Sequence, residues 1–334
     1  GAALHKRKIQ QLEMVDICKE FPGVVANNHV NLAVESGRIL ALLGENGAGK
    51  TTLMNILYGM YRPDSGDIRI NGECVFIRNP LDAIKLGIGM VHQHYMLVAR
   101  HTVAENVALG LPDVPFFSPV KAIEKRLHEF SEMYGLKVNP GARIWQLSAG
   151  EQQRVEIVKA LFRGADVLIL DEPTSVLTPQ EAKELFAILR KMTDAGHSVI
   201  FITHKLEEVM AISTEVMALR QGQVVGNVKT NQTGKAELAR MMVGREISFT
   251  CNKKELPPGP LILDVNGLVV RNDRDMLAVK GISFSLCKNE IFGIAGVSGN
   301  GQKELVEAIT GLRKIEAGNV VIEGRDVANL SPKM

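Results

Sequence analysis

The 334-residue sequence predicts an α/β fold built on a parallel sheet, with an inserted helical lobe and a partial second copy behind it. Three observations predict it. Continuous apolar runs such as Ile39–Leu43 read as strands buried on both faces of a parallel sheet, and they alternate with helical patterns. The stretch from about Tyr95 to Arg163 lacks strand signals and carries Val155, Val158, Leu161 and Phe162 at helical spacing. Finally, Gly44, Gly47, Gly49, Gly59, Gly66 and Gly72 recur without a gap as Gly296, Gly299, Gly301, Gly311, Gly318 and Gly324, at a constant offset of 252. Leu53 recurs as Leu305 at the same offset, and the apolar run Ile39–Leu43 as Ile291–Ala295, the expected strand of the second copy.

Taken along the chain, the first domain spans 1–245, with its helical subdomain at about 95–163. Gly1 and the basic stretch His5–Lys8 precede no apolar signal core and read as a solvated tail; the missing initial Met points to processing or a shortened chain. Ile39–Leu43 runs into Gly44, and Val167–Leu170 and Val199–Thr203 read as further buried strands. Helices are expected on both faces of their sheet. Thr178-Pro179-Gln180-Glu181 is a capping box with Pro at the first helical position, so a helix starts there. Pro257, Pro258, Gly259 and Pro260 close a linker over 246–260. The second domain occupies 261–334 and stops just after its second glycine turn, so the chain reads as one full domain plus the front of another.

Composition removes other classes. A formal net charge of +2 gives no overall pull toward nucleic acid or anionic lipid. Hydrophobic residues at 46% against 23% charged exclude a disordered chain. Aromatics at 5% argue against a stacking platform for single strands, and the one Trp, Trp145, is expected to serve packing. No run approaches the length of a bilayer-spanning helix. Cys18, Cys74, Cys251 and Cys287 form no CxxC pair and read as buried free thiols. His92, His94 and His101 lie close in sequence, but no carboxylate or Cys accompanies them at ligand spacing.

The chemistry concentrates in the first domain. Gly44-Glu-Asn46-Gly47-Ala-Gly49-Lys50-Thr51 fits GxxxxGK[ST] between an apolar strand and a helical pattern. Its glycines let backbone N–H groups turn toward phosphate oxygens, at the positive end of the next helix. Lys50 adds a point charge, and the Thr51 hydroxyl is a hard oxygen ligand for magnesium. Asp171 and Glu172 follow a second buried strand, at the edge where α/β ligands sit. Asp171 would hold magnesium through water, and Glu172 would polarise an attacking water.

Leu147-Ser148-Ala149-Gly150-Glu151-Gln152-Gln153-Arg154 resembles the signature of the ABC ATPases, opening a helix ahead of the second acidic strand. Gln93 resembles their Q-loop glutamine, His204 their switch histidine, and Phe21 the aromatic placed under adenine. These pieces occur in the family's order over essentially the whole chain. The resemblance implies a P-loop ATPase that binds ATP and Mg2+. Gly44, Asn46, Gly47, Gly49, Lys50, Thr51 and Thr52 would hold nucleotide, with Phe21. Ser148 and Gly150 would face a γ-phosphate, and Thr51, Gln93 and Asp171 would serve magnesium. Glu172, His204 and Gln93 would be catalytic.

The sequence departs from the family in three places. Ala149 and Glu151 replace the usual Gly and Gln of the signature. Ser175-Val-Leu-Thr178 replaces a stretch that usually ends in Asp, so Thr178 would serve its helix. In the second copy, Gln302 and Lys303 stand where Lys50 and Thr51 stand in the first. Such sites are shared between two domains in this family, so one competent and one degenerate site are expected. The isolated chain should bind ATP and turn it over slowly unless two chains pair head to tail.

Leu238–Arg245 and the degenerate second loop resemble the ATP-binding subunits of sugar and nucleoside importers. Val91–Val98, Thr102–Asn106 and Ser175–Glu181 are closest to the nucleoside branch. That implies two membrane permease subunits, an extracytoplasmic solute-binding protein, no nucleic-acid partner, and a cytoplasmic place on the inner face of the membrane. An importer of ribose, xylose or galactose is the alternative, and a soluble ABC ATPase outside transport the more distant one.

Overall fold

The computed structural model describes residues 8–93, 95–109, 111, 119–244, 256–273, 275–296 and 299–332. His94, Cys251, Val297, Ser298, the tail up to Arg7 and the part of the expected linker at 246–255 lie outside the described residues. The chain divides into two compact units, Gly1–Ser248 and Phe249–Met334.

In the first unit, β1 (Gln11–Phe21) and β2 (Val24–Glu35) form a hairpin and lead into β3 (Ile39–Leu43). Then come α1 (Lys50–Leu57), β4 (Ser65–Ile70), β5 (Glu73–Val75), α2 (Pro80–Leu86) and β6 (Ile88–Val91). The next segment is helical: α3 (Val103–Ala108), α4 (Pro119–Tyr134), a 3-10 turn at Ile144–Gln146 and α5 (Ala149–Phe162). β7 (Val167–Asp171), α6 (Pro179–Asp194), β8 (Ser198–Thr203), α7 (Leu206–Ile212), β9 (Glu215–Arg220), β10 (Gln223–Lys229) and α8 (Lys235–Val243) complete it.

The central sheet has the order β10-β9-β3-β8-β7-β6, and only the edge pair β9–β10 is antiparallel. Every residue of β3, β7 and β8 is buried, as expected for strands covered on both faces. One face packs on the helical lobe and α6: Leu168, Leu170, Val199 and Phe201 share a core with Val103, Leu127, Val155 and Val158 of the lobe and Leu189 of α6. Helices share the other face with a second, antiparallel sheet, β2-β1-β4-β5. Its Leu12, Met14, Val30 and Leu32 join Leu53, Met54, Ile56 and Leu57 of α1 against Leu40, Leu42, Ile200 and Ile202. Helices therefore lie on both faces, as expected, and the antiparallel sheet is an addition to that expectation. Alternating buried and exposed residues along β1 and β2 make strands that bury one face only, and such strands pair antiparallel.

Polar contacts brace the lobe internally and tie it to the sheet. Asn106, fully buried, accepts from Val98 N–H at 2.8 Å and donates to Val98 O and Thr102 O. Tyr134 Oη lies 3.0 Å from His197 Nε2, and His197 Nδ1 lies 3.0 Å from Ala165 O. Trp145 is 63% exposed rather than packed, because its 3-10 turn lies at the surface ahead of α5. Cys18, Cys74 and Cys287 are free but not buried: Cys74 is exposed on an edge strand, and the other two are half-buried.

The second unit holds β11 (Leu261–Arg271), β12 (Leu277–Cys287), α9 (Gln302–Ile309), β13 (Ala317–Ile322) and β14 (Arg325–Asp326), and its strands form one antiparallel sheet with the order β12-β11-β13-β14. Its core is Val265, Leu268, Val270, Val279, Leu305 and Val320. Gly259 N–H donates to Lys288 O, and Lys288 N–H to Pro260 O, so the end of the proline-rich stretch adds to this sheet's edge. Residues 291–295 form no strand, against expectation. In the first unit β3 is held between β8 and β9; among the described residues of the second unit no such neighbours exist, and Ile291 is 84% exposed.

Candidate functional site

β3, β7 and β8 end side by side, with Leu43 paired to Thr203 and Asp171 to Ile202. The residues that follow these ends therefore converge on one edge of the sheet. The glycine loop leaves β3 and enters α1 through Gly49, whose φ of 101° is the left-handed region that favours glycine. An added Cβ at Gly49 would collide with Ala26 O on β2. Lys50, only 6% exposed, donates to Gly44 O and Glu45 O at 2.8 Å each. Burial pulls its pKa down, and the charges of Glu172, Asp171 and Glu45 oppose that pull.

Asp171 is 8% exposed, and burial raises its carboxyl above the ordinary range, with the Glu172 charge adding to the effect. His92, Lys50 and a hydrogen bond from Thr51 act the other way. Glu172 adopts a φ of +44°, which a non-glycine residue rarely takes, and its N–H donates to Ile202 O. The turn carries its carboxylate to His204, with Oε1 2.8 Å from Nδ1.

A cleft of ≈ 560 Å³ gathers Phe21, Asn46, Gly47, Gly49, Lys50, Thr51, Thr52, Gln93, Asp171 and Glu172. Phe21 stands at its rim, edge-on to Tyr61 with ring centroids 5.5 Å apart. Gly44 packs behind the loop against β9 and holds Lys50. Ser148 and Gly150 are not brought to this cleft. They begin α5, where Ser148 caps the helix reciprocally with Glu151.

Sequence reasoning missed two supporting residues, Asn27 and Glu208, and the bond from Ser148 to Glu181. Asn27, fully buried on β2, donates to Gly49 O at 3.2 Å and steadies the glycine turn. Its signal was a polar side chain at a core position of an alternating strand. Glu208 accepts from Thr174 and Thr203 and pairs with Lys205 at 3.1 Å. It thereby ties the loop after Glu172 to the loop holding His204, and nothing in its sequence position announces that. Glu181 bridges Ser148 and Thr178.

The cleft can do defined chemistry. Lys50 and the α1 N-terminus attract polyphosphate. Thr51 and Asp171 present two hard oxygens in contact, a donor set suited to a small divalent cation. Among the described residues, no group of three His, Cys, Asp or Glu side chains is placed to hold a metal by itself.

Residues 27–175 match the family described as ABC transporter. That match lies in the first unit, from within β2 to the loop after β7. It is 49% identical over 323 residues to the guanosine import ATP-binding protein NupO of Bacillus subtilis, covering 96% of this chain and 63% of that protein. It is 48% identical over 351 residues to the glucose import ATP-binding protein TsgD13 of Haloferax volcanii, covering 96% of this chain and 64% of that protein. The chain thus spans somewhat less than two thirds of either relative. A crystal structure of a nucleotide-free ATP-binding cassette from an ABC transporter superposes with a TM-score of 0.60 at 22% identity, over 70% of this chain and 95% of that one. The fold is that of an ABC cassette. No helix among the described residues is long and apolar enough to cross a membrane.

Proposed function

We propose that this domain hydrolyses ATP and that the whole protein powers import of a solute, a nucleoside, through partner membrane permeases. The observation that carries hydrolysis is the convergence of Lys50, Thr51, Asp171, Glu172 and His204 at three adjacent strand ends. Lys50 uses two of its protons on its own loop and keeps a third for a phosphate oxygen. Magnesium would be held by Thr51, Gln93 and Asp171, and when bound it would neutralise charge between the terminal phosphates. Glu172, fixed by its turn and by His204, orients and polarises the attacking water. Phe21 offers a partly exposed ring to a base.

The nucleoside reading draws support from the guanosine import relative and from the strings near Gln93 and Ser175. The glucose import relative favours a sugar importer as the second reading. Two permeases and an extracytoplasmic binding protein would complete the assembly, with this chain on the inner membrane face. A groove of ≈ 270 Å³ lined by Tyr58, Met60, His92, Met96 and Lys159 lies beside the Gln93 segment and suits a permease loop.

The second unit is, in the same reading, the front of a degenerate second cassette. α9 stands 252 residues after α1, and Gly301 has a φ of 94° where Gly49 has 101°. β13 follows β4 at the same offset. Gln302 occupies the Lys50 position, so this loop lacks the ammonium. Lys303 pairs with Glu307 at 3.7 Å, a surface role.

Uptake of labelled nucleoside and labelled ribose in source cells carrying Lys50→Ala tests the cargo. Loss of nucleoside uptake alone is expected. Loss of ribose uptake alone would move the chain to the sugar branch, and loss of neither would reject a transport role.

A further inference from the structure

Glu181 joins two elements that carry separate parts of the proposed site. Its Oε1 accepts the Ser148 hydroxyl at 3.1 Å. Its Oε2 accepts the Thr178 N–H at 2.9 Å and the Thr178 hydroxyl at 3.0 Å. Gly150 lies so close that an added Cβ would sit 2.7 Å from Oε1. The Thr178 N–H is the main reason that the carboxyl is held below its ordinary range; the Ser148 hydroxyl and the Gly150 N–H contribute.

A serine hydroxyl has one proton to donate. Ser148 gives its proton to Glu181, while its oxygen accepts the Glu151 N–H at 3.2 Å. The carboxylate thus occupies the start of the 14-residue helix α5, where backbone N–H groups and the helix dipole favour negative charge. A phosphate oxygen arriving at Ser148 needs that same proton. Two anions side by side also repel, so Glu181 and a phosphate cannot both be served.

We propose that Glu181 is an internal competitor for the anion position at Ser148, displaced when the terminal phosphate of a nucleotide on a second cassette docks there. The proposal rests on the nucleotide reading above. Glu181 touches no nucleotide and is a positioning residue. Its other oxygen holds Thr178, at the end of the loop that begins at Glu172, where Ser175 N–H donates to Glu172 O at 3.1 Å. Displacement therefore frees the loop that follows Glu172.

The test is sedimentation of the chain in Mg-ATP, in a Glu172→Gln background that removes turnover, with and without Glu181→Gln. The amide keeps an acceptor oxygen and removes the charge. The expected result is ATP-dependent pairing at least about fivefold tighter, with no change in ADP. Ser148→Ala should move pairing the opposite way, a split that loss of a structural cap would not give. Glu181→Ala makes the same comparison if the amide variant fails to fold. Equal or weaker pairing than in the parent, including none in either, overturns the proposal. Binding of a fluorescent ATP analogue, and its loss in Lys50→Ala, checks the nucleotide reading separately. Loss there without tightening in Glu181→Gln removes the Glu181 proposal alone.

Discussion

Lys50 is buried beside two carboxylates, and its own loop carbonyls hold it in place before any phosphate arrives. Preorganisation of this kind places the charge where phosphate charge must be met, at little reorganisation cost. The loop depends on Gly49 for its turn. Gly49→Ala combines a left-handed backbone with a collision against Ala26 O, so a loss of roughly 1–3 kcal/mol or more is expected, read as a lowered Tm. Gly47 also has a positive φ, 81°, but an added Cβ there meets nothing, so Gly47→Ala should lower the Tm less. His204→Ala removes a side chain bonded to Glu172 Oε1. ATP turnover should fall on the order of 10²-fold or more with analogue affinity kept, in line with the loss of a positioned catalytic group. Unchanged turnover would remove His204 from the site.

The elements are held together at a few polar joints, and one of them titrates. His197 starts β8's approach and bonds Tyr134 of α4 and Ala165. Burial holds its pKa below the ordinary 6.5; Lys8 lowers it further, while the Ala165 carbonyl and Asp166 oppose. Below about pH 6.5 the unfolded chain therefore takes up a proton that the folded chain does not. Stability should fall as pH drops through that window, and His197→Gln should flatten the slope of Tm against pH. Parallel slopes in the two proteins would contradict this role. Elements carried by strong local signals were legible from sequence: the all-apolar runs of β3, β7 and β8, the helical spacing of α5, and the Thr178–Glu181 cap. The antiparallel sheet was not, because polar residues such as Asp16, Lys19, Asn28 and His29 interrupt the apolar pattern of β1 and β2, and bulges break their alternation. Among the residues that line the cleft, those in fixed motifs were legible, whereas Asn27, Glu208 and the Ser148–Glu181 bond depend on contacts between distant segments. Residues 291–295 repeat an apolar pattern whose strand needs neighbours to pair with.

At the scale of the molecule, the cleft at Lys50 and the α5 start at Ser148 are separate places on one unit. In the proposed reading, each completes its partner on another cassette. Turnover per chain should then rise with chain concentration, as two copies pair head to tail. Fast turnover independent of concentration would contradict that sharing. The second unit's loop lacks the ammonium of Lys50, so Gln302→Ala should leave nucleotide binding at the first loop unchanged, as read by analogue titration.

The most direct measurement is equilibrium ATP binding and single-turnover hydrolysis by the parent chain, Lys50→Ala and Glu172→Gln side by side. Glu172→Gln is expected to retain ATP and leave it intact, and Lys50→Ala to fail to bind it. Hydrolysis by either variant at the parent rate would contradict the assignment of this cleft as the site of ATP hydrolysis.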